Sequence, residues 1–283
     1  MTRVRLRFVK LGKVRFTSHR DVARMWERAL RRARLPVARS AGFTPRPKVA
    51  FGLALSTGHE SVAEFLDVTL VDGEAVDVAG LPRRLSPELP VGIDVTGATT
   101  VAPGVTSLQE EVASCDWRIA VRGLATSRAH ELVEAALAAD ELVITRTRKG
   151  REVTDDLRPA VLALTVAGAT PQGAELRAEL AVHPRSVRPA ELLRALSPDG
   201  GLVEGPVLRT AQWIWRDGAR EEPLCAAPDA TDRPQAEALA ASRRDLHHGR
   251  LPRPGPDPGP GSTHPGWGDL VVAGPEPRVR EPD

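Results

Sequence analysis

Apolar and polar positions alternate at the start of the chain. Val4, Leu6 and Phe8 interleave with Arg3, Arg5 and Arg7, which predicts a half-buried strand with one basic face. Leu11–Lys13 is turn-like, and Val14–Phe16 reads as a second arm. From Ser18 the period changes to that of a helix. Val22, Met25, Trp26, Ala29, Leu30 and Ala33 form one apolar stripe, Ser18 is an N-cap with Asp21 three residues on, and Pro36 ends the element. Residues 37–40 suggest a short strand, followed by the loop Gly42–Lys48, stiffened by Pro45 and Pro47. Strands are expected over 49–56, 62–71 and 91–101, with a helix over 74–89 interrupted by Pro82.

The order strand, helix, strand, strand, helix, strand is the ferredoxin-like split βαβ pattern. It recurs after a connector. Strands are expected at 115–123, 142–148, 160–168, 174–182 and 203–215. Helices are expected after a Thr126 or Ser127 cap and over 188–196, the latter with Pro189 in its first turn. The expected fold is α+β, with two tandem ferredoxin-like (βαββαβ) units. They occupy residues 1–101 and 115–217, joined by a linker at 102–114. Residues 218–283 hold 12 of the 25 prolines, so this stretch is expected to be a disordered tail, with room for a short helix in 235–246.

Composition changes this picture in two ways. Aromatics are 4% and Tyr is absent, so the cores must be built from Val, Leu, Ile and Ala. The net charge of +2 hides a strong asymmetry. Residues 1–50 carry 15 Arg or Lys against Asp21 and Glu27, for +13, and the remaining 24 basic and 35 acidic residues give −11. Such a segment favours a phosphate-rich partner, unless acids of the same protein neutralise it. No apolar run approaches the roughly 18 residues of a membrane span, and the start MTRVRLRF has no apolar signal core. Cys115 and Cys225 lie in unlike contexts. A reduced, cytoplasmic protein without membrane contact is expected.

Candidate chemistry gathers in residues 18–51. At about 100° per residue, Arg20, Arg24 and Arg31 fall opposite the apolar stripe, where so few acids suggest a surface that tracks phosphates rather than a merely solvated face. Ser18, His19 and the free N–H groups of the helix start suit an anion. Arg39, Arg46 and Lys48 extend that site, and Phe43 offers a ring for a base, although core packing is its more common use. His19 is more often a packed residue than a catalyst, and Asp21 is most simply a cap. Asp156, Arg158 and Arg188 form a second, weaker ligand site, with a carboxylate–guanidinium pairing as its structural explanation. The sequence holds no CxxxCxxC, no phosphate-binding loop, no GxGxxG after a strand and no His/Cys grouping with zinc spacing, so no cofactor or metal is expected.

The stretch RFTSHRDVARMWERALRRARLPVARSAGFTPRPKVAFGLALSTGHES resembles the signature of the bacterial radical-SAM-linked proteins, built around a domain of unknown function. DLRP at 156–159 and VRPAELLRAL at 187–196 are similar to the same family, and the likeness covers roughly residues 2–215. Arg46 stands where the family commonly has His between the two loop prolines. Members are found fused to, or encoded near, radical S-adenosylmethionine (SAM) proteins, so the resemblance implies such a partner. Together with the charge it suggests a non-catalytic RNA-binding accessory protein. Two rivals stand beside it. One is a metal-independent endoribonuclease using His19 with Lys48 or Arg46, by analogy with other tandem ferredoxin-like proteins. The other is a protein–protein adaptor whose arginines meet an acidic partner.

Overall fold

A computed structural model describes residues 1–216 and 218–224. The described residues form an α+β fold around one nine-stranded mixed sheet. Its strands are β1 (Arg3–Lys10), β2 (Val49–Phe51), β3 (Glu60–Thr69), β4 (Ile93–Val101), β5 (Val112–Arg122), β8 (Val161–Thr170), β9 (Gly173–Ala181), β10 (Val203–Arg216) and β11 (Ala219–Glu221). A separate hairpin is made by β6 (Val143–Arg148) and β7 (Arg151–Asp156). The helices are α1 (His19–Arg32), α2 (Leu81–Leu85), α3 (Leu108–Glu111), α4 (Thr126–Ala138) and α5 (Pro189–Leu196). The sheet runs β4-β1-β3-β10-β5-β9-β8, with β2 also on β3 and β11 on β10.

Two cores follow from the two apolar periods. In the first half, α1 and α2 lay Trp26, Leu30, Leu81 and Leu85 on Val4, Leu6, Phe8, Leu66 and Val68. The Trp26 and Phe8 rings meet edge-on, 5.0 Å apart. In the second half, α4 and α5 place Ala129, Val133, Leu192 and Leu193 against Ile119, Val121, Leu176 and Leu180. The sheet is continuous between them because β10, antiparallel to β5, also meets β3 in parallel through Leu208↔Glu60 and Arg209↔Ser61. The two expected units therefore do not form separate sheets.

Local expectations fare unevenly. The first helix starts where Ser18 caps it. Ser18 Oγ accepts the Asp21 N–H at 3.2 Å and donates its hydroxyl to Asp21 Oδ2 at 2.7 Å. The arm expected at 14–16 is a 3-10 turn, Gly12–Phe16. The strand expected over 49–56 stops at Phe51. Gly52 donates to Phe65 O at 2.9 Å, and an added Cβ there would lie 3.3 Å from the same oxygen. The helix expected over 74–89 is confined to Leu81–Leu85 and a 3-10 turn, Ser86–Glu88. Pro82 sits in its first turn, where a missing N–H does no harm, rather than interrupting it. Ala125, not Thr126 or Ser127, is the N-cap of α4. The 102–114 connector contains α3 and the start of β5.

The beginning of the expected tail is also structured. Ala219–Glu221 pairs with Ile214–Arg216, and Glu222–Leu224 folds back over β1. Leu224 packs on Ala63, Phe65 and Leu108. The expectation of disorder over 225–283, with its possible short helix, lies outside the described residues.

Candidate nucleic-acid interface

The first strand corrects the picture of an exposed basic face. Arg5 is 1% exposed, and Arg7 and Lys10 are also buried. Arg5 makes a bidentate pair with Asp67, at 2.8 and 3.0 Å, and an ion pair with Glu111 at 3.0 Å. It also donates to Pro223 O at 3.1 Å. Burial alone would lower its pKa, but the hydrogen bond and charge of Asp67 and the charge of Glu111 outweigh that and hold it above its ordinary value. Arg7 faces Glu222 at 3.7 Å and donates to Thr96 at 3.3 Å. Acids of the same chain thus neutralise the strand, because an unpaired buried charge is far costlier than a paired one. Arg15 pairs with Glu60 at 3.3 Å and Arg32 with Glu88 at 2.7 Å.

What remains outward is α1 and the loop after it. Arg20, Arg24, Arg28 and Arg31 are exposed on one side of the helix, with Glu27 among them. Arg24 has a long contact to Asp21, 3.5 Å, and Arg28 reaches back to the Arg24 carbonyl at 3.2 Å. The loop is held by its own backbone. Ser40 N–H donates to Arg46 O at 2.8 Å, Arg46 N–H to Ser40 Oγ at 3.0 Å, and Arg39 Nη1 to Pro45 O at 3.3 Å. This leaves the Arg46 side chain outward and Phe43 fully exposed rather than in a core. Lys48 Nζ lies 3.8 Å from Met1 Sδ.

His19 lines a cleft that none of the loop cations lines. Its ring stands edge-on to Phe51, with centroids 5.2 Å apart, over a cleft whose floor includes Lys10 and Glu64. The cleft has a volume of about 20 Å³, room for one water. Lys10 Nζ donates to Arg15 O and Thr17 O at 3.3 and 3.2 Å. Burial pulls its pKa below the ordinary lysine value, helped by Arg209 and opposed by Glu64.

Sequence reasoning missed the polar group behind that cleft. Arg209 of β10 donates Nε to Glu64 Oε1 at 3.0 Å and Nη2 to Leu53 O at 3.0 Å, and lies 5.4 Å from the Trp117 ring. His59 Nε2 is 2.9 Å from Glu204 Oε1. Cys115 sits beside Arg209, and burial pushes its thiol up to about 11. The available signal was a set of acids, Glu60, Glu64 and Asp67, interleaved with Val62, Ala63, Phe65, Leu66 and Val68, which demands buried cations somewhere in the fold.

The second candidate site resolves into scaffolding. Asp156 Oδ1 accepts the Leu142 and Arg158 N–H groups at 2.7 and 2.9 Å, rather than pairing with a guanidinium. Arg158 donates to Leu137 O at 3.2 Å, near the C-terminal end of α4. Arg188 opens α5, its N–H donating to Glu191 Oε2 at 3.0 Å. The ionic cluster nearby is instead Asp155, held at 2.5 Å by Arg146 and 3.0 Å by Arg185. The Arg146 hydrogen bond keeps the Asp155 carboxyl below the usual range.

The fold and the site define an α+β protein with a basic helix face and internally neutralised strands. Among the described residues, no helix is long and apolar enough to cross a membrane. Residues 3–189 match the family described as "Uncharacterized protein conserved in bacteria (DUF2344)", and the chain belongs to that family. No curated protein matches the chain. Among solved structures, one titled "Crystal Structure of a Cbf5-Nop10-Gar1 Complex" is similar over 73% of this chain, with 12% identity and a TM-score of 0.39. The likeness spans 48% of that solved chain, about half its length.

Proposed function

We propose that the protein is a non-catalytic RNA-binding accessory protein that presents RNA to a radical-SAM enzyme. The exposed face of α1 carries this reading: Arg20, Arg24, Arg28 and Arg31 face solvent, whereas the strand arginines of the same basic segment are paired with the protein's own acids. Cations left outward on a rigid helix are available to phosphates. Arg39, Arg46 and Lys48 are likewise exposed in the stretch after α1, and exposed Phe43 offers a ring for an unpaired base.

Two ferredoxin-like units in tandem form the scaffold of this reading. The strand orders β4-β1-β3-β2 and β10-β5-β9-β8, antiparallel between neighbours in each, support it. The partner rests on the sequence resemblance to radical-SAM-linked proteins. Several thiolates are needed to hold an iron–sulfur cluster and the sequence has two cysteines, Cys115 and Cys225, so in this reading the cluster is the partner's.

Fluorescence anisotropy with a structured RNA tests the binding surface. Changing Arg20, Arg24 and Arg31 together to Glu should weaken binding and flatten the log–log salt dependence by roughly 0.9 for each phosphate no longer neutralised. Unchanged affinity in the triple variant refutes the α1 surface.

A further inference from the structure

The face of the sheet turned away from α4 and α5 carries a groove. Along β5, Cys115, Trp117, Ile119 and Val121 are buried in the helix-covered core, so Asp116, Arg118 and Ala120 point to the opposite side. On β9, Leu176, Ala178 and Leu180 are buried, and Glu175, Arg177 and Glu179 share the opposite side with Arg118. The groove has a volume of about 410 Å³, and its polar lining is Asp116, Arg118, Thr165, Arg177, Glu179, Thr210 and Arg220. Clefts that hold small ligands run from roughly 300 to 1,000 Å³.

Charge within the groove is unevenly satisfied. Arg118 donates to both oxygens of Glu175, at 2.8 and 3.2 Å. Arg220 lies between Asp116, at 3.2 Å, and Glu179, at 3.0 Å, with its guanidinium 4.1 Å from the Trp213 ring. Arg177 is exposed and has no ion-pair partner among the described residues. It also stands directly opposite Arg118 across the β5–β9 ladder, with Thr165 opposite it on β8. Like charges in directly opposed cross-strand positions repel. An anion between them converts the repulsion into two charge-assisted hydrogen bonds.

We propose that Arg177, with Arg118 and Thr165, forms a phosphate-binding site on this open face. The free fork of Arg177, with the Nη1 donors that Arg118 keeps beyond its pairing with Glu175, matches a tetrahedral, multiply charged group better than a planar carboxylate, which one fork saturates. Arg220 supplies a flat guanidinium in the same groove, a surface on which a nucleobase attached to the phosphate stacks. The ligand class is therefore a nucleotide phosphate, carried by a free nucleotide or by single-stranded RNA. The site shares no residue with α1 and does not depend on that surface.

Calorimetric titration of the whole protein with adenosine 5′-monophosphate, and separately with a short oligouridylate, tests the site. Arg177→Gln should weaken binding by about tenfold, as expected when one charge-assisted hydrogen bond is removed. Arg177→Lys should recover part of it, and thermal melting should show the Gln variant as stable as the parent. Mononucleotide binding that weakens by about tenfold in Arg177→Gln but is kept in the α1 triple variant assigns the site to free nucleotides. Binding of the oligomer alone, reduced by Arg177→Gln, assigns it to RNA. If neither probe binds, or if both bind equally well to the Gln variant, the site is overturned, whatever the fate of the α1 surface.

Discussion

Arg209 on β10 donates its Nε to the Glu64 carboxylate on β3 across 3.0 Å, and both side chains are buried. The pair crosses the seam where the two halves of the sheet meet. The ladder there is short, with only Leu208↔Glu60 and Arg209↔Ser61 in register. Side chains reinforce it: Gln212 Nε2 donates to Ala63 O at 2.6 Å, and Arg209 also binds Leu53 O. Burial alone would lower the pKa of Arg209, but the charge of Glu64 and its hydrogen bond hold it above its ordinary value, so the guanidinium stays charged.

Removing one partner should therefore be more damaging than removing both. Arg209→Met leaves Glu64 as an uncompensated buried charge and should cost about 3–5 kcal/mol in urea denaturation. The double variant Arg209→Met/Glu64→Leu should recover much of that loss. Equal stability of the single variant and the parent would show that the seam does not depend on the pair.

The segment after β11 should contribute to stability through Glu222, Pro223 and Leu224. A chain ending at Asp217 lacks the Arg7–Glu222 pair, the Arg5 bond to Pro223 O and the Leu224 packing on Phe65. Its melting temperature should fall by several degrees, for a destabilisation of about 2–4 kcal/mol. A chain ending at Leu224 keeps these interactions and should melt like the parent. Similar melting of the two truncated chains would rule out this role for the segment.

Cys115 should make stability fall at high pH. Its thiol titrates near 9 when exposed and at about 11 in the fold, where burial disfavours the thiolate. The folded state thus holds the proton longer. The contribution is complete below pH 9 and is lost as pH rises through 11, amounting to roughly 2–3 kcal/mol. Lys10, whose pKa is lowered, acts in the opposite direction, so the slope should be compared between parent and Cys115→Ala rather than read alone. In a Cys225→Ser background, the native protein should also be slow to react with a thiol reagent at pH 8. Rapid labelling there would contradict the buried placement.

His19 should affect affinity and not cleavage. It packs on Phe51 above a cleft that holds about one water, and Arg46 and Lys48, the cations an endoribonuclease would recruit, do not line that cleft. The wild-type protein should leave RNA intact in EDTA, and His19→Ala should change binding alone. Products ending in 2′,3′-cyclic phosphate, made by the parent and absent with His19→Ala, would replace the accessory reading with the nuclease one.

Part of this protein was legible in its sequence. The first helix follows from a cap at Ser18, a stripe from Val22 to Ala33 and a stop at Pro36, because cap, period and breaker all act within a few residues. The same locality explains why the loop at 42–48 and the outward arginines of α1 could be placed at the surface. The strand expected over 49–56 ends early because Gly52 turns away only in response to Phe65, which belongs to another strand.

Tertiary structure alone decided the fate of the charges. Arg3, Arg5 and Arg7 alternate with apolar residues just as a solvent-facing row does, and nothing within ten residues indicates otherwise. Their partners are Asp67, Glu111 and Glu222, brought from distant parts of the chain by sheet pairing and by the return of the segment after β11. The seam is the same case, since Arg209 and Glu64 lie 145 residues apart. Alternation along a strand determines that two sets of side chains face opposite ways. Whether water or another part of the chain covers each set depends on long-range contacts, which a local pattern does not encode.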